Sequence, residues 1–318
     1  MTPKPSSAEP SLVIGVDIGG TKTAFGLVRF PDGQVVARQE MKTPQGAASG
    51  AAFLDQVCAA VAQLRDETPG VQGIGLGLCE LVDLDGGVSS GHRVQWNGLP
   101  VLARLKEIAP AVIEADVRAA ALAEARWGAG KGYRDLLYLN IGTGISTCWV
   151  KDGVPHAGAH GHALAIASSP MVAACPVCGT HSAYILEDVA GGAALAHLYG
   201  AAIGRKIDSA SEVLAAAAEG ESRAQSLLAE AAQLIGVSAG LAINILDPAA
   251  LVIGGGLGAR EGPYSQAIEA SIRRQVWSDQ ARQLPIRRAA LGSESGLIGA
   301  AASWWVRSLS SDALKVDV

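Results

Sequence analysis

Residues 13–28 read VIGVDIGGTKTAFGLV: an apolar run, an aspartate, two glycines and Thr-Lys-Thr, then a second apolar run. Where a glycine turn that binds phosphate opens a helix, the helix N-terminus lies under the anion. Here the turn is followed by Thr23 to Phe30, a β-branched, aromatic and apolar run bounded by Pro31-Asp32-Gly33, which is strand and hairpin chemistry. An anion on this turn therefore sits on a β-hairpin. The stretch recurs at 136–150 as LLYLNIGTGISTCWV, again strand, Gly/Thr turn, strand, and again ending in Asp-Gly, at Asp152-Gly153. A duplicated hairpin unit constrains the fold more than any other feature of the chain.

Between the two copies, Gly73 to Leu78 and Ala111 to Ala115 read as short strands, while Ala51 to Arg65 and Val101 to Ile108 carry apolar residues at helical spacing. Ala-rich helices dominate from Ala190 to Leu246, where Asp247-Pro248 ends the last of them before strand Leu251 to Ile253. Strands alternate with helices, so the class is α/β. A length of 318 residues, 49% hydrophobic and 17% charged, supports about two domains with room for a cleft. The expected division is residues 1–117, completed by a C-terminal helix at about 295–318, and residues 118–294, with a hinge near Asp116 to Ala120.

A net charge of −5 with scattered Lys and Arg offers no basic stripe, which argues against nucleic acid as a partner. No apolar run is expected to reach bilayer-spanning length, and Ala231 to Leu246 is broken by Gln233, Ser238 and Asn244. The first ten residues lack the apolar middle of a signal peptide, so a cytoplasmic location is expected. Five cysteines, an odd number, argue against a disulfide framework.

Three glycine turns stand out: DIGGTKT at 17–23, NIGTGIS at 140–146 and IGGGLG at 253–258. Each alone is only a tight turn. Together, the first two can bracket a triphosphate from successive domains, and the third can lie against adenosine. Gly19, Gly20, Thr21, Lys22 and Thr23, then Gly142, Thr143 and Gly144, then Gly254, Gly255, Gly256 and Leu257 are the candidate ATP-binding residues. Asp17 at the end of the first strand is the candidate anchor for Mg²⁺.

With these motifs in place, the chain resembles the ROK family of sugar kinases, of the sugar kinase/actin/Hsp70 ATPase superfamily, from Leu12 to about Ala302. DIGGTKTAFGLV resembles the family's first phosphate motif, LNIGTGIS its second, LDPAALVIGGGLG the approach to adenosine, and GSESGLIGAA at 292–301 the start of its C-terminal helix. The resemblance implies two ribonuclease-H-like domains with a cleft between them, a homodimer, and transfer of phosphate from ATP to a sugar hydroxyl. The family's catalytic base lies in Glu-Asn-Asp, here Glu114-Ala115-Asp116, which makes Asp116 the candidate base and an acceptor contact.

The pattern also breaks. The family's Gly-Glu-x-Gly-His is GAHGHALAIASS at 158–169, so its Glu falls on Ala165 and its His on Ser168. Ala115 replaces the Asn, and Cys79-Glu80 stands where Pro-Gly is usual. Glu187, Glu80, His160 and His162 are the candidate acceptor contacts that remain. Of the family's zinc loop there survive Cys175, Cys178 and His181; a Cys-x-x-Cys-Gly knuckle completed by His160 or His162 is one reading. The favoured one is a degenerate loop without zinc, since neither spacing nor ligand set matches.

The missing contacts disfavour plain glucose and point to an amino sugar or cyclitol, with Glu80 placed to pair with an amine. A dinucleotide fingerprint at Gly254-x-Gly256 comes too late in the chain and lacks its acidic partner. A non-catalytic sugar-sensing protein is the rival from another class. Retention of Asp17, Asp116 and all three turns counts against it, because a binding module needs no base.

Overall fold

The computed structural model describes residues 10–174 and 177–313, with both strands and helices throughout. They form two compact units: the first runs to Ala123 and takes in Ala157–His162 and the chain from Glu294, and the second comprises Glu124–His156 and Ala163–Ser293.

In the first unit, β1 (Ser11–Ile18), β2 (Lys22–Phe30) and β3 (Gln34–Lys42) make an antiparallel meander. After α1 (Ala51–Glu67), β4 (Val71–Leu78) returns parallel to β1; after α2 (Val101–Lys106), β5 (Ala111–Ala115) pairs parallel to β4 and runs straight into α3 (Asp116–Arg126). The strand order is β3-β2-β1-β4-β5. One sheet face carries Ile14, Val16, Ile74, Leu76 and Leu78, packed in one cluster with Phe53, Leu54, Val57 and Val61 of α1. Each such side chain contributes about 1.5–3 kcal/mol on burial.

The period of two in GIGLGL puts glycine on the opposite face. Gly26, Gly15 and Gly75 are register neighbours across β2, β1 and β4. The C-terminal helix, Ser295–Ala313, crosses this row so closely that a Cβ on Gly15 would stand 2.5 Å from the Leu297 carbonyl oxygen, and one on Gly26 2.8 Å from Leu297 Cδ2. Only glycine lets helix backbone lie directly on the strands.

In the second unit, β6 (Asp135–Ile141), β7 (Ile145–Lys151) and β8 (Val154–Pro155) repeat the meander. Asp152 and Gly153, both at positive φ (51° and 76°), make the tight two-residue turn that Asp-Gly favours. Strands β9 (Pro170–Ala174) and β10 (His181–Ile185) form a separate antiparallel pair. Then follow α4 (Leu186–Ala190), α5 (Gly192–Ile203), α6 (Ala210–Ala218), α7 (Ser222–Leu246), β11 (Ala250–Gly254), α8 (Pro263–Gln275), α9 (Asp279–Arg282) and β12 (Ile286–Arg288).

The sheet order, β8-β7-β6-β11-β12, matches that of the first unit strand for strand, with the same mixture of antiparallel and parallel pairs. The duplication seen in two hairpins thus extends to both whole sheets.

One expectation needs correction. Helix α7 has 25 residues and is long and apolar enough to cross a bilayer by length and composition alone, as is Gly46–Glu67. Its Leu228, Ile235, Ala239 and Ile243 are buried in the core of the second unit, and its ends are capped: Glu221 accepts from the Arg223 and Ala224 amides, and Asp247 adopts the left-handed conformation before Pro248. Of the polar residues that interrupt the sequence, Gln233 and Asn244 lie on its exposed side, whereas the small Ser238 is buried within the apolar stripe.

Candidate active site

In the first unit the C-terminal ends of the parallel strands bring Asp17, Cys79 and Asp116 together. Asp17 lies opposite Gly77, and the Cys79 amide donates to Ile18 O at 3.1 Å. Leu78 pairs with Ala115, so Cys79 and Asp116 continue side by side beyond the sheet. This carboxyl edge is where open α/β sheets place ligands. Burial pushes the Asp17 carboxyl up to about 6, against the opposing pull of Arg38 and Lys22. Burial also holds the Cys79 thiol well above its usual range, helped by the charges of Asp116, Glu80 and Asp17, so it stays protonated at neutral pH. Asp116 Oδ1 accepts from the Val117 amide at 2.6 Å, which orients the carboxylate at the start of α3.

The first glycine turn adjoins this edge. Gly19 donates to Lys22 O at 3.0 Å, and Gln45 Nε2 holds Gly20 O at 2.6 Å. Among the described residues, the amides of Gly20 and Thr21 donate to no protein group, as a phosphate-binding turn requires. Lys22 and Thr23 point elsewhere. The Lys22 ammonium pairs with Glu40 at 2.9 Å, and the fully buried Thr23 hydroxyl bonds that of Thr43 at 2.8 Å, bracing β2 against the chain after β3.

Glu80 is buried, and its carboxylate takes four donors: Ser90 Oγ and the His92 amide (2.9 Å) on one oxygen, the Arg93 and Val94 (2.8 Å) amides on the other. Four donors saturate a carboxylate, so Glu80 shapes the 90–94 loop instead of meeting a substrate amine. Sequence reasoning missed this because the partners are backbone amides of a later loop.

Arg118, two residues beyond Asp116, is also buried. Its Nε meets Glu114 at 2.5 Å, and its guanidinium donates to Gly161 O and, at 3.0 Å, to Val82 O. Residues 157–162 are thereby fastened to the first unit, which explains their membership in it. Gly161, at φ 81°, has no room for a side chain against Val82 O and Asp83. In the same segment His162 Nε2 lies 3.0 Å from Ser89 Oγ, whereas His160 is exposed.

The other two turns belong to the second unit and meet each other. The amides of Gly192 and Ala193, opening α5, donate to Gly142 O (2.9 Å) and Thr143 O (3.0 Å). Glu187 lies against Gly144, where a Cβ would stand 2.7 Å from Oε2, and that oxygen accepts from the Ile145 amide at 3.3 Å. In the third turn the Leu257 and Gly258 amides both donate to Ile141 O at 3.0 Å, so the turn is seated on the end of β6. The Leu257 side chain is buried, Gly254 packs on the Tyr138 hydroxyl, and Gly256 is exposed with no atom within 4 Å of where a Cβ would be. Open glycine at 256 and exposed Thr143 leave backbone accessible there, which fits a nucleotide.

Glu124, which the sequence did not single out, is fully buried and ties three loop amides: Ala129 (2.8 Å), Ala290 (3.0 Å) and Leu291 (2.9 Å). Its one legible signal was a carboxylate within an otherwise alanine-rich helix. As for zinc, Cys175 lies outside the described residues. Cys178 Sγ is 3.2 Å from Thr180 Oγ1 and His181 is exposed in β10. Among the described residues no group of three or more His, Cys, Asp or Glu gathers to hold a metal.

The comparisons with known proteins agree on one family. A glucokinase of Streptomyces coelicolor is 29% identical, over 91% of this chain and 96% of its own length. An N-acetyl-D-glucosamine kinase of Salmonella paratyphi B is 30% identical, over 90% and 97%. Among solved structures, a ROK family glucokinase from Streptomyces griseus in complex with glucose and AMPPNP superimposes with a TM-score of 0.77 and 29% identity, covering 92% of this chain and 99% of that one. The repeated five-stranded unit is accordingly the ribonuclease-H-like domain of the actin-like ATPase fold. With the ROK family model matching residues 13–307, the chain belongs to the ROK family.

Proposed function

We propose that the chain is an ATP-dependent kinase that phosphorylates a hydroxyl of a sugar or sugar-like polyol. The observation that carries this reading is the meeting of Asp17, Cys79 and Asp116 at the carboxyl edge of β1, β4 and β5, beside a glycine turn whose outer amides are unused. Asp116 orients the acceptor hydroxyl and takes up its proton, and Asp17 holds Mg²⁺. The raised value of Asp17 marks a carboxylate lacking a strong cationic partner, which fits a metal ligand. Mg-ATP, when bound, supplies the phosphoryl group and the charge neutralisation that this transfer needs.

The acceptor differs from plain glucose in this reading. Ala115, Ala165 and Ser168 stand where the family pattern has an amide, a carboxylate and an imidazole. Each unmet buried hydrogen bond costs about 1–3 kcal/mol. With Glu80 saturated by its loop, Glu187 remains the proposed carboxylate for an acceptor hydroxyl or amine. A phosphoryl-transfer screen over hexoses, amino sugars and cyclitols tests both levels. Transfer to none of them removes the kinase reading. A kcat/KM for glucose above that of every amino sugar and cyclitol removes only the acceptor assignment.

A further inference from the structure

The side chain of Arg93 packs on the first glycine turn. A Cβ built on Gly20 would stand 3.5 Å from Arg93 Cδ, 3.7 Å from Cγ and 4.0 Å from Cβ, so the stem of Arg93 covers the open face of that residue. Its placement is built from below. The Arg93 amide and the flanking amides of His92 and Val94 are all held by the buried Glu80 carboxylate. Ser90 Oγ completes the set, and Trp96, fully buried with its Nε1 on Gly50 O at 3.3 Å, anchors the loop's far end.

A turn that receives phosphate on backbone amides also needs cationic charge near the group being transferred. Lys22, the cation within the turn itself, reaches away along the sheet to Glu40, which Arg38 also contacts at 2.6 Å. The planar guanidinium, with five donors, suits a phosphoryl group better than an ammonium does.

We infer that Arg93 is a catalytic residue that contacts the terminal phosphoryl group at the Gly19-Gly20-Thr21 turn, and that Glu80 is the positioning residue that sets it there. The inference rests on the kinase reading for its chemistry and on the loop geometry for its place.

The test compares binding of Mg-AMPPNP and Mg-ADP by calorimetry, alongside turnover, in the full chain. Arg93→Gln is expected to weaken Mg-AMPPNP at least tenfold while Mg-ADP changes less than about threefold, and to lower kcat at least a hundredfold. Arg93→Lys, which keeps the charge without the fork, restores part of the AMPPNP affinity. Glu80→Gln, which puts an amide where backbone donors point, shifts affinity the same way as Arg93→Gln, and its melting temperature separates loop displacement from unfolding. AMPPNP affinity in Arg93→Gln within twofold of the parent overturns the inference, and so does an equal loss for both nucleotides. A parent protein that transfers phosphate to no acceptor, while Arg93→Gln still loses AMPPNP selectively, sinks the kinase reading alone. A parent that binds neither nucleotide sinks both.

Discussion

The carboxylate of Asp17 rests on Gly296 in the first turn of the C-terminal helix, where a Cβ would stand 2.5 Å from its Cγ and 2.8 Å from Oδ1. The proposed metal anchor is therefore positioned by an absent side chain. Gly296→Ala forces the carboxylate aside. Displacements of this size at a reacting centre cost on the order of a hundredfold in rate. The expected outcome is a fall of at least about tenfold in kcat with an increased Mg²⁺ requirement, and a metal titration of the variant checks it.

Asp17 also carries a pH signature. Its folded value of about 6 exceeds the ordinary 3.8, so the folded protein keeps a proton that the unfolded chain has already released. Stability from this group is fully present below about pH 4 and is lost as pH rises through 6, by at most about 3 kcal/mol. Metal-free Asp17→Asn is expected to gain stability relative to the parent between pH 4 and 7, with little difference at pH 4. Denaturant melts in EDTA at both pH values give the comparison, and parallel curves contradict it.

For the base, Asp116→Asn keeps the shape and the bond from the Val117 amide. It removes the proton acceptor. Turnover falls by about a hundredfold or more while AMPPNP affinity stays within a few fold. Near-parental turnover takes Asp116 out of the role.

The fourth prediction concerns stability away from the chemistry. Glu124→Ala strands three loop amides and opens a void beside Gly128, against which the Glu124 side chain packs. With about 1–3 kcal/mol for each buried group left unsatisfied, part of it recovered by water, a loss of about 3–5 kcal/mol is expected from urea unfolding. Nucleotide affinity measured on the folded fraction changes little.

Most of the fold was legible because its signals are local. The Gly-rich hairpins, the strands Gly73 to Leu78 and Ala111 to Ala115, and the helix from Ala51 all follow from periodicity and turn residues, and β5 falls on the expected residues. Strand β3 was missed because Gln34–Lys42 is largely polar, an edge strand with few buried positions. Helix α8 was missed because its polar turns, rich in Gln and Arg, mask the buried Ile268 and Ile272. In the site, Asp17 and Asp116 could be read from motifs, whereas Cys79, Arg93, Arg118 and Glu124 act through partners distant in sequence. Glu80 was legible as a carboxylate near the site, but its partners were not, since nothing in a sequence tells which backbone amides a later loop will offer.

The glycine row under the C-terminal helix has a consequence for biosynthesis. Strands β1, β2 and β4 leave the ribosome early, whereas Leu297 and Ala300, which lie on Gly15, Gly26 and Gly75, are made only after the whole second unit. Until then one face of the first sheet lacks the helix that covers it, and transiently exposed surface of this kind is what engages chaperones. The first domain to be translated is thus the last to be finished, and a premature stop codon before residue 297 injures the beginning of the protein.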